Sequence, residues 1–371
     1  MHLVLNIINL MKIKSVKLIN FRNYCAAQIE FGAGVNLVCG ANGQGKTNLA
    51  ESILVASLGS SPRTHHDEEL IMHGAQNCRA EIEIERDYGK VSVSYNLLPV
   101  KEFYINGSPV KKLGELFGNL VTVYFSPKQL EIVTGGPQER RDFMDTDISQ
   151  LSGKYYNLVQ RYNKVLFQRN KLLKTTFDHK AILDQIDVWN EQLASLAAPI
   201  IRTRKNFISK LAAPASQALR QLSRNNEVLT IEYVGAKGNT TEEIKQELLS
   251  ALQQNLSRDI ELGYTSLGPH RDDINILLNG QDSKAYCSQG QQRSIVLALK
   301  LGELGLFKAE LGEAPVLVLD DVFSELDSTR QKRLYDILKG YQTILTGTSF
   351  KFKPPADIEC KVIKVKNGIV K

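Results

Sequence analysis

The sequence predicts an α/β fold in two pieces, separated by a helical insertion, and three observations carry the prediction. An apolar run at Val35, Leu37 and Val38 enters a glycine-rich turn, and an amphipathic helix pattern follows through Leu49, Ile53 and Leu54. Far downstream, the apolar run at residues 316–319 ends in two aspartates. Between them lies a long stretch of helical apolar periodicity with few breakers before Pro199.

The first turn reads GANGQGKT, residues 40–47, the pattern G-x-x-x-x-G-K-T. Glycines let backbone N–H groups approach an anion closely, and the start of the following helix adds its partial positive charge. In this strand–loop–helix setting the turn predicts a nucleoside triphosphate site built from Gly40, Ala41, Asn42, Gly43, Gln44, Gly45, Lys46 and Thr47. Lys46 would reach the β- and γ-phosphates, and the Thr47 hydroxyl would ligate Mg²⁺. A chance lysine in a glycine-rich turn is the alternative, and the flanking strand and helix argue against it.

Length and composition bound the rest. A chain of 371 residues exceeds one ordinary core and predicts two domains, or one domain with a large insertion. The composition is globular, with 43% hydrophobic and 23% charged residues. No apolar run approaches the roughly 20 residues of a membrane span, and no solenoid repeat is present. Five cysteines (Cys25, Cys39, Cys78, Cys287, Cys360) lack metal-ligand spacing and fit reduced thiols, hence a cytoplasmic protein. The N-terminal apolar stretch is short and its lysines follow it, which does not suit a signal peptide. Met11 stands where an alternating strand begins, so residues 1–10 read as an extension from an upstream start.

The net charge of +6 is unevenly placed. Residues 151–226 hold thirteen Lys and Arg against four acids, so the remainder of the chain is net negative. Tyr155, Tyr156, Tyr162 and Phe167 lie among these charges. Such a segment suits a nucleic-acid surface, where cations gain by displacing phosphate counterions. A solvated helix face is the alternative. Arg202, Arg204 and Lys205 form the densest cluster and are the candidate DNA contacts.

A buried parallel strand ending in a carboxylate is the usual partner of a phosphate loop. Asp320 would therefore serve Mg²⁺, and Asp321, on the other side of the strand end, could polarise an attacking water. Upstream, "YCSQGQQRSIVLALKLG" reads as a capped helix start: Ser288 is the cap, Gly290 leaves the turn uncovered, and Ile295, Val296 and Leu299 form an apolar face. This second anion-suited helix start makes sense if it reaches the γ-phosphate of ATP held by another subunit.

GANGQGKT, CSQGQQ, VLVLDD and SELD, in that order, resemble the Walker A, signature, Walker B and D-loop motifs of an ABC-type ATPase head. With "LINFRNY", "GGPQERRDFMD" and "LGPHRDD", the chain closely resembles the RecF family of bacterial recombination mediators, related to Rad50 and SMC heads, from Met11 to the end. The resemblance implies an ABC-type P-loop ATPase head split in sequence, with residues 12–130 and 265–371 forming the head and residues 131–264 an inserted helical arm domain. It implies an ATP-driven homodimer that binds single- and double-stranded DNA at gaps, slow DNA-stimulated hydrolysis, and action with RecO and RecR to load RecA. By the same resemblance, Ser288, Gln289, Gly290 and Gln291 contact the opposite nucleotide, and Asp327 belongs to a dimer-facing loop. Asn20, Phe21 and Arg22 lie near the base or phosphates, and Gln129 is a candidate for the Q-loop.

Two departures qualify the resemblance. The stretch "TILTGTSF" lacks the histidine of Rad50-like heads, and the Walker B pair is Asp-Asp where most ABC heads have Asp-Glu. RecF-like proteins share the short acid, so slow turnover is expected. His65, His66 and His73 read as loop residues and Cys287 as a packed thiol, while Arg140 and Arg141 read as structural ion-pair partners, with contact to DNA or phosphate as the alternative. A transporter subunit is disfavoured by the basic arm and by "GGPQERRDFMD". A long-coiled-coil structural protein is disfavoured by the shortness of the insertion.

Overall fold

The computed structural model describes residues 10–175, 179–223, 227–323, 326–348, 355 and 358–370. Residues 1–9, Asp178, Arg224, Ser324 and Glu325 of the D-loop, and the last two residues of "TILTGTSF" lie outside the described residues. The chain divides into two compact units: residues 1–130, 214–227 and 293–371, and residues 131–213 and 228–292. The boundary expected at 264/265 does not coincide with this division, because residues 265–292 cluster with the insertion.

Unit 1 contains two sheets among the described residues. One is antiparallel, in the order β2 (Tyr24–Glu30), β1 (Lys12–Phe21), β4 (Cys78–Arg86), β5 (Gly89–Leu97), β6 (Glu102–Ile105), β7 (Ser108–Pro109). Its strands alternate: on β4, Cys78, Ala80, Ile82 and Ile84 are buried while Arg79 and Glu83 are exposed. The other sheet runs β15 (Ile369–Val370), β14 (Cys360–Lys366), β3 (Val35–Cys39), β13 (Thr343–Gly347), β12 (Val316–Asp320), β8 (Thr122–Phe125), parallel except at β15. Its central strands β12 and β13 are buried at every position, as continuous apolar runs in a covered parallel sheet should be.

Helix α1 (Lys46–Leu58) touches β13 and β12 of the parallel sheet and β1 and β4 of the antiparallel one. Ten of its thirteen residues are buried, including Glu51, Ser52 and Ser57. The expected amphipathic pattern is therefore corrected: α1 has almost no solvent face. Its hydroxyls are satisfied internally, Ser52 Oγ on the Leu49 carbonyl and Ser57 Oγ on that of Leu120. Unit 1 is completed by most of α9 (Gln289–Leu311), by α10 (Ser328–Leu338) and by the end of α5 (His179–Leu222).

Unit 2 holds α2 (Glu131–Thr134), α3 (Pro137–Leu151), α4 (Gly153–Thr175), most of α5, α6 (Thr241–Gln254), α7 (Leu256–Leu262) and α8 (Ser283–Tyr286). It is not all helical. A three-stranded antiparallel sheet of β11 (Gln281–Asp282), β10 (Asp273–Leu278) and β9 (Leu229–Val234) packs with α3. The predicted break at Pro199 is also absent, since α5 continues through Pro199 and Pro214. Burial of Ala194, Ala197, Ala198, Ile201, Ile208 and Leu211 outweighs the backbone hydrogen bond each proline forfeits. Among the described residues no helix is long and apolar enough to cross a membrane.

Candidate nucleotide site

Strand β3 delivers the chain into the glycine turn, and α1 leaves it. Gly45 adopts φ 115° at the N-cap of α1 with no side-chain cap, so the first-turn amides of α1 keep their donors facing the loop. Gly40 is needed for a different reason: a Cβ there would lie 2.3 Å from the Val365 carbonyl on β14. The turn is braced from two sides. Asn23 Nδ2 donates to the Gln44 carbonyl and Tyr24 Oη to that of Gly45, while Gly368 N and Asn367 N donate to Gln44. Lys46 is buried and its Nζ donates to the Ala41 carbonyl at 2.8 Å, which sets the ammonium across the mouth of the loop.

At the end of β12, 273 residues further along the chain, Asp320 Oδ1 accepts from Thr47 Oγ1 at 2.9 Å and from Thr346 Oγ1 at 2.6 Å. Burial pushes the Asp320 carboxyl above its ordinary pKa, against the hydrogen bonds of Thr346 and Thr47, which lower it. A hard divalent cation fits this donor set, because Thr47 donates its proton and keeps its oxygen lone pairs, and cation charge would favour the carboxylate. Asp321 follows in the left-handed region at φ 54°, and its N–H donates to Thr346 Oγ1 at 3.1 Å. Thr346 therefore anchors both aspartates. It stands in the stretch where the sequence lacks a histidine, and sequence reasoning missed it.

Arg22 is placed differently from the expectation. Its guanidinium makes two hydrogen bonds to Glu51, at 2.9 and 2.8 Å, and a third to the Glu69 carbonyl. Glu51, buried on α1, also accepts from Arg63 and from Ser61. Two guanidiniums and a hydroxyl compensate a carboxylate that burial would otherwise penalise heavily. Arg22 is thus committed to Glu51, and Asn23 and Tyr24 are the neighbours that touch the loop. Gln129 lies four residues beyond Phe125, whose β8 position pairs with Leu319, the residue before Asp320. His65, His66 and His73 are exposed loop residues, and Cys287 is half-buried.

The signature turn belongs to unit 2 and is described by itself. Ser288 Oγ accepts from Gln291 N, and Gln291 Oε1 accepts from Ser288 N, so the two close a capping box at the start of α9. Because the Ser288 oxygen accepts, its proton stays available to donate outward. Ser288, Gln289 and Gly290 are exposed, and a Cβ on Gly290 would meet nothing within 4 Å. Nothing in this chain's own packing requires glycine there. Asp327 caps α10, accepting from the amides of Thr329 and Arg330.

The candidate DNA cluster on α5 comes apart. Arg204 is buried, paired with Asp145 at 2.8 Å, and donates to Tyr155 Oη and the Pro269 carbonyl. It is unavailable to phosphate, because its guanidinium is itself buried and already taken up by Asp145, Tyr155 and the Pro269 carbonyl. Lys205 Nζ donates to the carbonyls of Lys237 and Gly238, and Arg202 is the exposed member, bonded to Thr241 Oγ1. Arg140 is bidentate on Asp273, at 2.6 and 2.9 Å, and Arg141 donates to the Asp272 carbonyl, as structural partners should.

Residues 12–370 match the family model described as RecF/RecN/SMC N terminal domain. The chain is 44% identical to the DNA replication and repair protein RecF of Alkaliphilus oremlandii, over 91% of this chain and 93% of that one. It is 40% identical to the protein of that description from Clostridioides difficile, over 97% and 98%. The solved structure of the recombination mediator protein RecF-ATP in the RecFOR pathway superposes with a TM-score of 0.88 at 37% identity, covering 98% of this chain and 99% of that one. An Smc head domain from Pyrococcus furiosus, 17% identical with a TM-score of 0.56, shares the fold. A chain with this phosphate loop, this acidic strand end and this breadth of similarity belongs to the RecF family of ABC-type ATPases.

Proposed function

We propose that this chain is an ATP-dependent DNA-binding protein of recombinational repair and replication-fork maintenance in the cytoplasm. ATP draws two copies into a homodimer at single-strand gaps and duplex junctions. The dimer acts with RecO and RecR to help load the RecA recombinase, and slow, DNA-stimulated hydrolysis releases it. The observation that supports this most directly is the uncapped start of α1 beside the Thr47–Asp320 pair, within a chain 44% identical to a DNA replication and repair protein.

In this reading the first-turn amides of α1 and Lys46 receive the phosphates, Lys46 exchanging the Ala41 carbonyl for phosphate oxygen. Thr47 and Asp320 would hold Mg²⁺, which supplies charge neutralisation to the phosphates. Asp321, fixed by Thr346, orients the attacking water but is one methylene shorter than glutamate, and turnover is slow. Ser288 donates to the γ-phosphate held by the partner copy, so the functional head takes in residues 265–371 as well as 12–130, with the arm at 131–264. Lys46→Ala is expected to abolish ATP-dependent dimerisation with the fold intact. Sedimentation with ATP and Mg²⁺ tests it, and a variant that dimerises like the parent would sink the assignment.

A further inference from the structure

Helix α4 has 23 residues, six of them Lys or Arg and none Asp or Glu. One face is buried through Tyr155, Tyr162, Arg169 and Leu173. Arg169 is consumed there: it pairs with buried Asp259 at 2.8 Å and donates to Asn190 and Thr265. The opposite face carries Gln160, Lys164, Phe167, Lys171 and Lys174 at alternating steps of four and three, a straight exposed stripe, with Lys154 and Arg161 beside it. Phe167 is 66% exposed in the middle of that stripe, one turn from a lysine on either side.

A merely solvated helix mixes charge signs so that neighbours attract at i,i+3 and i,i+4. Here neighbours repel, as Arg161 does Lys164, and among the described residues Lys154, Arg161, Lys164 and Lys174 form no ion pair. The nearby acids of α3 are engaged elsewhere: Glu139 accepts from Gly136 N, Asp142 accepts from Gln138, and Asp145 holds Arg204. A polyanion would relieve the repulsion. An aromatic ring among the cations selects further, since an unpaired base offers a π-face and a duplex backbone does not.

We propose that this face of α4 binds single-stranded DNA, with Arg161, Lys164 and Lys174 on phosphates and Phe167 stacked on an unpaired base. The proposal rests on the DNA-binding reading above, and it moves the arm's contact surface from the α5 cluster to α4. Its test is fluorescence anisotropy of the full chain with ATP, on labelled oligothymidylate and on a duplex of equal length, across a salt series. Phe167→Ala should weaken single-strand binding roughly five- to a hundredfold, leave duplex binding unchanged and, being a surface change, leave the thermal midpoint in place. Phe167→Tyr should restore binding. Lys164→Ala and Lys174→Ala should each flatten the single-strand log-log salt dependence by about 0.7. If the parent protein binds neither DNA, the DNA-binding reading falls and takes this proposal with it. If the parent binds while these variants keep its affinity and slope, the reading stands and α4 is excluded. Equal losses on both DNAs from Phe167→Ala overturn stacking, and a changed oligomeric state without DNA makes α4 an interface between copies and overturns the proposal.

Discussion

Thr346 shows how much of the proposed site's geometry depends on a residue with no chemistry of its own. Its hydroxyl donates to Asp320 and accepts from the amide of Asp321, so one side chain holds the two aspartates in register. Thr346→Val removes both bonds at nearly constant volume. It is expected to cost roughly 1–3 kcal/mol of stability, since it strips partners from a buried carboxylate. ATP affinity with Mg²⁺ should fall more than affinity without it, which nucleotide titrations in the two conditions would show; equal losses would deny Thr346 its positioning role. The meeting of Thr47 with Asp320, and the place of Lys46 at the loop, were readable because each lies in a local motif. Thr346, Glu51 and Asn23 were not, because their roles depend on contacts between distant segments. Arg22 and Arg204 misled for the same reason: an arginine in a motif or a basic run suggests a phosphate, and only the fold reveals Glu51 or Asp145 already beside it.

The segment containing "LGPHRDD" shows this at the level of elements, where the half-buried His270 and the buried Asp272 oppose each other. His270 Nε2 faces the Thr265 carbonyl at 3.0 Å, and a carbonyl only accepts, so Nε2 carries the proton and Nδ1 accepts from Tyr162 Oη. Burial lowers the His270 pKa from 6.5 to about 4, helped by Arg271 and Arg141 and against the hydrogen bond to Thr265 and the charge of Asp259. Burial raises Asp272 from 3.8 to about 6, against the hydrogen bond from Tyr233 and the charges of Arg204, Arg141 and Lys205. Stability from keeping His270 neutral is lost as pH falls from 6.5 towards 4, because the unfolded chain binds the extra proton. Stability tied to protonated Asp272 is lost as pH rises from 3.8 towards 6, because the native state binds it. Each is worth about 3 kcal/mol and they nearly cancel. His270→Gln should therefore make stability fall with pH across this window relative to the parent, and Asp272→Asn should make it rise. Urea unfolding from pH 4 to 7 reads both slopes, and parallel profiles for all three proteins would refute the opposition. The strand β9 was legible in principle, since Leu229 and Ile231 alternate with outward residues, but it is short and lies between helices. The passage of α5 through two prolines was not legible, because propensity gave way to burial that only the packed unit supplies.

At the scale of the whole molecule, the proposed shared site makes the rate a property of two chains. The specific rate should rise with protein concentration, and Ser288→Arg should lose both dimer and turnover because the bulk blocks phosphate approach. Mixing Ser288→Arg with Lys46→Ala allows one composite interface with an intact loop and an intact signature, so part of the activity should return. Full turnover by Ser288→Arg alone, at concentrations where the parent is monomeric, would contradict a site in trans. The order of strands in the parallel sheet has a further consequence, in time rather than in space. β3, which leads into the phosphate loop, has β13 on one side and β14 on the other, and both are made from the last tenth of the chain. During synthesis its backbone groups have no sheet partner until β13, ending at Gly347, has left the ribosome, and the second side stays open until β14 follows. Residues as far downstream as Gly368 must be translated before the loop acquires its second set of braces, so a chain stalled or clipped ahead of β13 should be unable to capture ATP.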